Sequence, residues 1–102
     1  MAGFGTVWRM KVKPERVEDF IALNEEWDRT YRPGLPAGSG GIIFRLAEDP
    51  TVFMGAAVSP DRKAYFELAD DPEQDKWFSR VRECLESDPE WNDGEVIHLG
   101  FH

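Results

Sequence analysis

Apolar and polar positions alternate from Gly5 to Val12, with Trp8, Met10 and Val12 on one side and Val7, Arg9 and Lys11 on the other. That is the two-residue period of a half-buried strand, and Lys13-Pro14 ends it. From Pro14 the period lengthens: Val17, Phe20, Ile21, Asn24, Trp27 and Tyr31 recur three and four residues apart, behind a Pro14-Glu15 turn that suits a helix start. The pattern predicts a helix that stops near Arg32-Pro33-Gly34. The segment Gly34 to Gly41 carries four glycines and reads as a mobile loop able to act as a lid. Two strand-like runs follow, Ile42 to Ala47 and Thr51 to Val58, joined by Glu48-Asp49-Pro50 as an antiparallel hairpin. Ser59 is then a candidate helix cap with Pro60 at the first helical position. The helical pattern runs to about Ala69, breaks at Asp70-Asp71-Pro72 and resumes to about Ser87, with Trp77, Phe78, Val81, Cys84 and Leu85 on one face. It predicts a bent or two-piece helix. After the turn-like stretch Asp88 to Gly94, a last strand is predicted from Glu95 to Phe101, with Ile97, Leu99 and Phe101 opposed to Val96, His98 and Gly100.

The order β-α-β-β-α-β is the α+β, ferredoxin-like arrangement, a four-stranded antiparallel sheet carrying two helices on one face. No repeat or linker divides the chain, and 102 residues make one domain, residues 1–102. The more apolar strand faces, Trp8/Met10/Val12, Ile42/Phe44/Leu46 and Ile97/Leu99/Phe101, are expected under the helices. The opposite faces, Val7/Arg9/Lys11, Ile43/Arg45/Ala47 and Val96/His98, are too apolar for a wet surface and too charged for a dry core. A homodimer burying them face to face satisfies both conditions.

Composition narrows the function classes. An apolar share of 41% with 13% aromatic residues supports a compact core. The formal charge of −8 disfavours nucleic acid and anionic membrane surfaces as partners. The longest apolar run, Val52 to Val58, is far short of the roughly 20 residues of a spanning helix, and no charged-then-apolar leader stands before Phe4, so a soluble cytoplasmic protein is expected. The single Cys84 provides neither an intrachain disulfide nor a multi-thiolate metal site, and reads as core. The glycines at 38, 40 and 41 lack the Lys-Ser/Thr and following helix of a phosphate loop, and the acidic runs lack the alternation of a calcium loop.

The short first strand Thr6-Val-Trp-Arg-Met, the helix start Pro14 to Phe20, the central hairpin, the Trp77-Phe78 helix and the closing strand together resemble the antibiotic biosynthesis monooxygenase-like domains of the dimeric α+β barrel superfamily. The resemblance spans nearly the whole chain. It implies a homodimer whose two sheets close a barrel, with a pocket in each subunit between helices and sheet. Characterised members of the family that the chain resembles include oxygenases of aromatic polyketides or quinols that use neither metal nor flavin, and haem-degrading enzymes, while many other members have no known activity. The haem-degrading branch uses an Asn on the first strand, a Trp on the second helix and a nearby His. Trp77 can stand for the Trp, but Gly5 to Val12 has no Asn and Asp61 to Ser87 has no His, so haem degradation is disfavoured.

The candidate chemistry lies mostly on the first helix. Asn24 falls in the apolar sector, where a buried amide needs partners and can hydrogen-bond a ligand carbonyl or an enolate oxygen, or else a backbone carbonyl or a water. Trp27 and Tyr31 share that face and suit a planar aromatic ligand, although an aromatic stripe at helical spacing is more often core. Asn24, Trp27, Tyr31 and Arg45 resemble the pocket set of the polyketide-oxidising branch, and Phe20 and Trp77 are further candidate substrate contacts. By alternation with Phe44, Arg45 falls on the face away from the helices unless a bulge shifts the register. His98, with a reference pKa near 6.5, is a candidate proton acceptor. No metal and no cofactor are expected. The expected partners are a second copy of the chain and a small hydrophobic or aromatic ligand. The function expected is a cofactor-independent monooxygenase acting on an aromatic polyketide- or quinol-like molecule; the alternative is a non-catalytic ligand-binding or structural dimer of the same fold.

Overall fold

Backbone pairing builds the molecule around the first strand. The computed structural model describes residues 3–100. Its strands are β1 (Phe4–Lys11), β2 (Gly40–Arg45), β3 (Val52–Ser59) and β4 (Glu90–Glu95); its helices are α1 (Val17–Thr30), α2 (Arg62–Ala69) and α3 (Pro72–Arg82). The sheet order is β2-β3-β1-β4 with every neighbour antiparallel, so β2 and β4 are the edges. This is the expected α+β ferredoxin-like fold, with the second helix in two pieces.

The core lies between the sheet and the helices. Trp8, Met10 and Val12 pack there with Phe20 and Leu23 of α1, Phe53 of β3, and Trp77, Val81, Cys84 and Leu85 from α3 and the turn after it. Burying such side chains supplies the main driving force for folding. Gly55 sits opposite Trp8, and the indole lies directly on it: a Cβ there would come within 2.4 Å of Trp8 Cζ2. Cys84 is fully buried, and burial pushes its thiol pKa up. Asp71 caps α3 by accepting a 2.8 Å bond from the Glu73 N–H, and Pro72 opens the helix.

Several expectations are corrected. The last strand is Glu90–Glu95, not Glu95 to Phe101. The polar run Glu-Trp-Asn-Asp-Gly-Glu looks like a turn, yet as an edge strand it needs only one paired side and tolerates charge. Its backbone follows β1 from Phe4↔Glu95 to Arg9↔Glu90, and the Asn92 side chain donates from Nδ2 to the Val7 carbonyl at 3.0 Å. Ile97, His98 and Leu99 therefore lie exposed beyond the strand, and Phe101 lies outside the described residues.

The face of β2 is also reversed. Ile42 pairs with Ala56 and Phe44 with Met54, on the face away from the helices, whereas Ile43 and Arg45 stand opposite Gly55 and Phe53 on the helix side. The consecutive Ile42-Ile43-Phe44 has no alternation to specify a face, so the partner strand sets it. Leu46 lies just past the strand, where its N–H donates to the Val52 carbonyl. The helix cap is Asp61, which accepts a 2.8 Å bond from the Ala64 N–H; Ser59 is the last residue of β3 and is buried. Finally, Gly40 and Gly41 belong to β2, and α3 ends at Arg82, short of Ser87.

The reversal leaves an apolar open sheet face. Val7, Ile42 and Phe44 are 51%, 48% and 57% exposed. With Met54 and Ala56 they surround a shallow cleft, lined by Val7, Phe44, Met54 and Ala56, of about 510 Å³. Among the described residues, no helix is long and apolar enough to cross a membrane.

Candidate functional site

The period of α1 brings Phe20, Asn24, Trp27 and Tyr31 toward one side of the helix; Phe20 is held by packing, Asn24 by a bond within α1, and Trp27 and Tyr31 by bonds to α3. Phe20 is buried, its ring 4.7 Å from that of Phe53. Asn24 is half-buried and donates from Nδ2 to the Phe20 carbonyl at 2.9 Å, one turn back along its own helix. Trp27 donates from Nε1 to Gln74 Oε1 at 2.7 Å, and its ring lies 6.2 Å from Tyr31 and 6.1 Å from Trp77. Tyr31 donates its hydroxyl to the Glu73 carbonyl at 3.5 Å. Buried Trp77 donates from Nε1 to the Leu23 carbonyl at 2.8 Å. These bonds and the two-pronged Arg80–Glu26 pair, at 2.6 and 3.1 Å, clamp α1 onto α3. Arg80 in turn holds the Glu26 carboxyl below its ordinary pKa.

On the other flank of α1, the helix layer stops short of the sheet edge. Ile43 points to the helix side yet keeps 44% of its surface exposed, so β2 forms an open shelf beside α1. A guanidinium stands near each end. Arg45 lies with its Cζ 5.3 Å from the Phe53 ring centroid, and among the described residues it has no carboxylate within ion-pair distance. Arg32 sits 4.9 Å from the Trp27 ring and donates from Nε to Asp28 Oδ1 at 2.9 Å. Its guanidinium reaches over β2 beside Gly41, where a Cβ would stand in ordinary van der Waals contact with Arg32 Nη2 at 3.7 Å.

The structure thus joins Phe20, Arg45 and Phe53 beside the shelf, while Trp27, Tyr31 and Trp77 gather on the α3 flank of α1, with Arg32 against the Trp27 ring. Arg45 is on the helix side, which corrects its expected place on the far face. His98 is not in a strand and does not join them: it is exposed beyond β4, the edge opposite β2. Sequence reasoning missed Arg32, Ile43, Phe53 and Gln74. Arg32 had a signal, following Asp28 by four residues at the helix end, the spacing of an ion pair. Gln74 had none. Among the described residues, no group of three His, Cys, Asp or Glu side chains is arranged to hold a metal ion.

Comparison with solved structures bears on this arrangement. A conserved protein from Methanosarcina mazei aligns with TM-score 0.80 at 20% identity, covering 92% of each chain. A proposed antibiotic biosynthesis monooxygenase from Caulobacter crescentus aligns with TM-score 0.84 at 11% identity, over 95% of this chain and 92% of that one. Another, from Nitrosomonas europaea, aligns with TM-score 0.80 at 16% identity, over 94% and 91%. The chain has the antibiotic biosynthesis monooxygenase-like fold. At these identities the likeness is one of fold. No protein-family profile matches the sequence, and no curated protein matches it.

Proposed function

We propose that the protein is a homodimeric, cofactor-independent monooxygenase acting on a planar aromatic substrate that reacts as its anion, of the quinol or anthrone type. The observation that carries this reading is Arg45, a guanidinium stacked on Phe53 at the edge of the α1–β2 shelf with no carboxylate partner among the described residues. Such a group stabilises charge as it develops on a substrate oxygen, most strongly where water is excluded. The exposed Ile43 side chain supplies an apolar surface for a flat ring.

In the proposed reaction an anthrone-type CH₂ loses a proton and the carbanion gives its electrons to dioxygen, forming a C–O bond. Cleavage of the O–O bond then leaves a carbonyl on the substrate and releases water. One oxygen atom ends in product and one in water, so no outside reductant is needed. The protein's part is orientation, desolvation and stabilisation of the anion. Arg45 holds the oxyanion. Asn24 keeps its carbonyl oxygen and second N–H for ligand, since Phe20 takes only one donor. The half-buried Trp27 and Tyr31 border the site, with the buried Phe20 and Trp77 rings packed behind them, and solvent water takes the proton, because His98 stands beyond the opposite sheet edge.

The homodimer is supported by the open sheet face. Val7, Ile42 and Phe44 form an exposed apolar patch of the kind that marks an interaction surface, and a two-fold pairing would cover it with its own copy.

A second reading, a ligand-binding or structural dimer without catalysis, is favoured by the internal bonds of Trp27 and Trp77, whose N–H donors are spent on Gln74 and Leu23. Oxygen uptake with a panel of hydroquinones and anthrones separates the two. The proposed function predicts uptake above the uncatalysed rate that falls at least about tenfold in Arg45→Gln, the loss of one charge-assisted contact. Uptake at the uncatalysed rate throughout, with unchanged tryptophan fluorescence on adding ligand, supports the second reading.

A further inference from the structure

At the sheet edge opposite the shelf, α2 and β4 form the walls of a cleft of about 560 Å³, within the roughly 300–1,000 Å³ range of small-molecule pockets. Its lining includes Phe4, Arg62, Phe66, Asp93, Gly94 and Glu95. The charges in it are sorted by wall. Arg62 opens α2, with its Cζ 5.0 Å from the Phe4 ring and 5.2 Å from the Phe66 ring. The two phenyls, 5.7 Å apart, hold the guanidinium by cation–π contact. Asp93 and Glu95 alternate on β4 and, as the partners of Thr6 and Phe4, both stand on the helix side of the sheet. Gly94 between them adds no side chain, and nothing lies within 4 Å of where its Cβ would be.

These opposite charges do not meet. Among the described residues, neither Arg62 nor Asp93 nor Glu95 takes part in an ion pair. Each wall is kept in place by its own neighbours: Arg62 by the two rings, and Asp93 by the Tyr65 hydroxyl, which donates to Oδ1 at 2.8 Å. Burial first, then Asp93, pushes the Tyr65 pKa up to about 12, so the hydroxyl remains a donor at neutral pH. The other Asp93 oxygen and the Glu95 carboxylate remain for a ligand. A simple anion entering the cleft meets two carboxylates, and a simple cation meets Arg62. A molecule that carries both charges close together is complementary to both walls, and an apolar side chain on it fits the phenyl surface.

We propose that this cleft binds a free α-amino acid with an aromatic or large apolar side chain, its carboxylate on Arg62, its ammonium on Asp93 and Glu95, and its side chain on Phe4 and Phe66. The α1–β2 shelf is at the other sheet edge, so the two sites are occupied independently, and the proposal stands or falls apart from the oxygenase reading.

The test is calorimetric titration of the whole chain at neutral pH with L-phenylalanine, 3-phenylpropionate and 2-phenylethylamine. The expected result is saturable binding of L-phenylalanine with a Kd on the order of 1 mM, a scale fitting so small a ligand. Each single-charge analogue is expected to bind at least about tenfold more weakly, as are the variants Arg62→Gln and Glu95→Gln. Both substituted residues are exposed, and circular dichroism checks that the variants fold. No saturable heat up to about 20 mM L-phenylalanine overturns the proposal, since that is far above the expected Kd. So does either analogue binding as tightly as the amino acid, or unchanged affinity in both folded variants.

Discussion

Gly55→Ala tests how the aromatic core rests on the sheet. Gly55 lies mid-way along β3, between Trp8 of β1 and Ile43 of β2. A Cβ added there would stand 2.4 Å from Trp8 Cζ2, 2.7 Å from Trp8 Cε2 and 2.7 Å from the Ile42 carbonyl oxygen. Neither obstacle yields cheaply. The indole is 7% exposed and wedged in the core, and the carbonyl belongs to the neighbouring strand's backbone. Overpacking of this kind costs about 1–3 kcal/mol, and displacement of both neighbours puts this site toward the upper end. For a domain of this size each kcal/mol lowers Tm by roughly 4–8 °C, so a loss on the order of 10 °C is expected. Gly40→Ala is the control: it lies in β2 with nothing within 4 Å of its Cβ position and no positive φ, so it is expected to be neutral or slightly stabilising. The assay is urea and thermal unfolding of both variants, followed by tryptophan fluorescence. Equal stability of Gly55→Ala and wild type, with unchanged emission, would refute the contact between Trp8 and the bare β3 backbone.

Trp77→Phe loses the buried bond to the Leu23 carbonyl and leaves a void, for roughly 1–3 kcal/mol in urea unfolding, whereas Trp27→Phe, half-buried, costs less than about 1 kcal/mol; the reverse order would contradict the clamp between α1 and α3. Asp49 is held down to about 2 by hydrogen bonds from the Thr51 hydroxyl and N–H and by Lys11, against an ordinary value of 3.8. Because the folded pKa is depressed, its contribution to stability is present above about pH 4 and is lost as pH falls toward 2. A carboxyl chemical-shift titration giving an ordinary pKa for Asp49 would contradict this. Phe44→Asp puts a charge into the exposed apolar patch of the open sheet face and is expected to turn a dimer into an 11.7 kDa monomer in sedimentation, with folding retained; a wild type that already sediments as the monomer would remove the sheet-face dimer.

The sequence pattern was most informative where one face of an element is buried and the other is not. Trp8, Met10 and Val12 alternate cleanly and are core; Phe20 lies on the inner stripe of α1, where Leu23, outside the predicted stripe, joins it, and Val81 and Cys84 lie on that of the last helical segment. It misled where both faces are of one kind. Ile42-Ile43-Phe44 is apolar throughout, so the side of Arg45 could be known only from pairing with Phe53. Glu90–Glu95 is polar apart from Trp91 and Gly94 and drew attention away from itself to the more apolar Ile97 and Leu99 beyond it. For the candidate site, Asn24, Trp27 and Tyr31 were legible from helical spacing. The shelf was not, because it depends on how far α1 overhangs β2, and neither was the partner Gln74, 47 residues from Trp27 in the chain.

The most direct measurement of the central claim is the fate of labelled dioxygen. The metal-chelated protein is mixed with an anthrone under ¹⁸O₂, and the product and water are analysed by mass spectrometry after a short reaction. Cofactor-free monooxygenation predicts one ¹⁸O atom in the product carbonyl and one in water, at a rate above the uncatalysed reaction and lowered in Arg45→Gln. Label absent from the product, or a rate no faster than without protein for any substrate of the panel, would contradict the assignment.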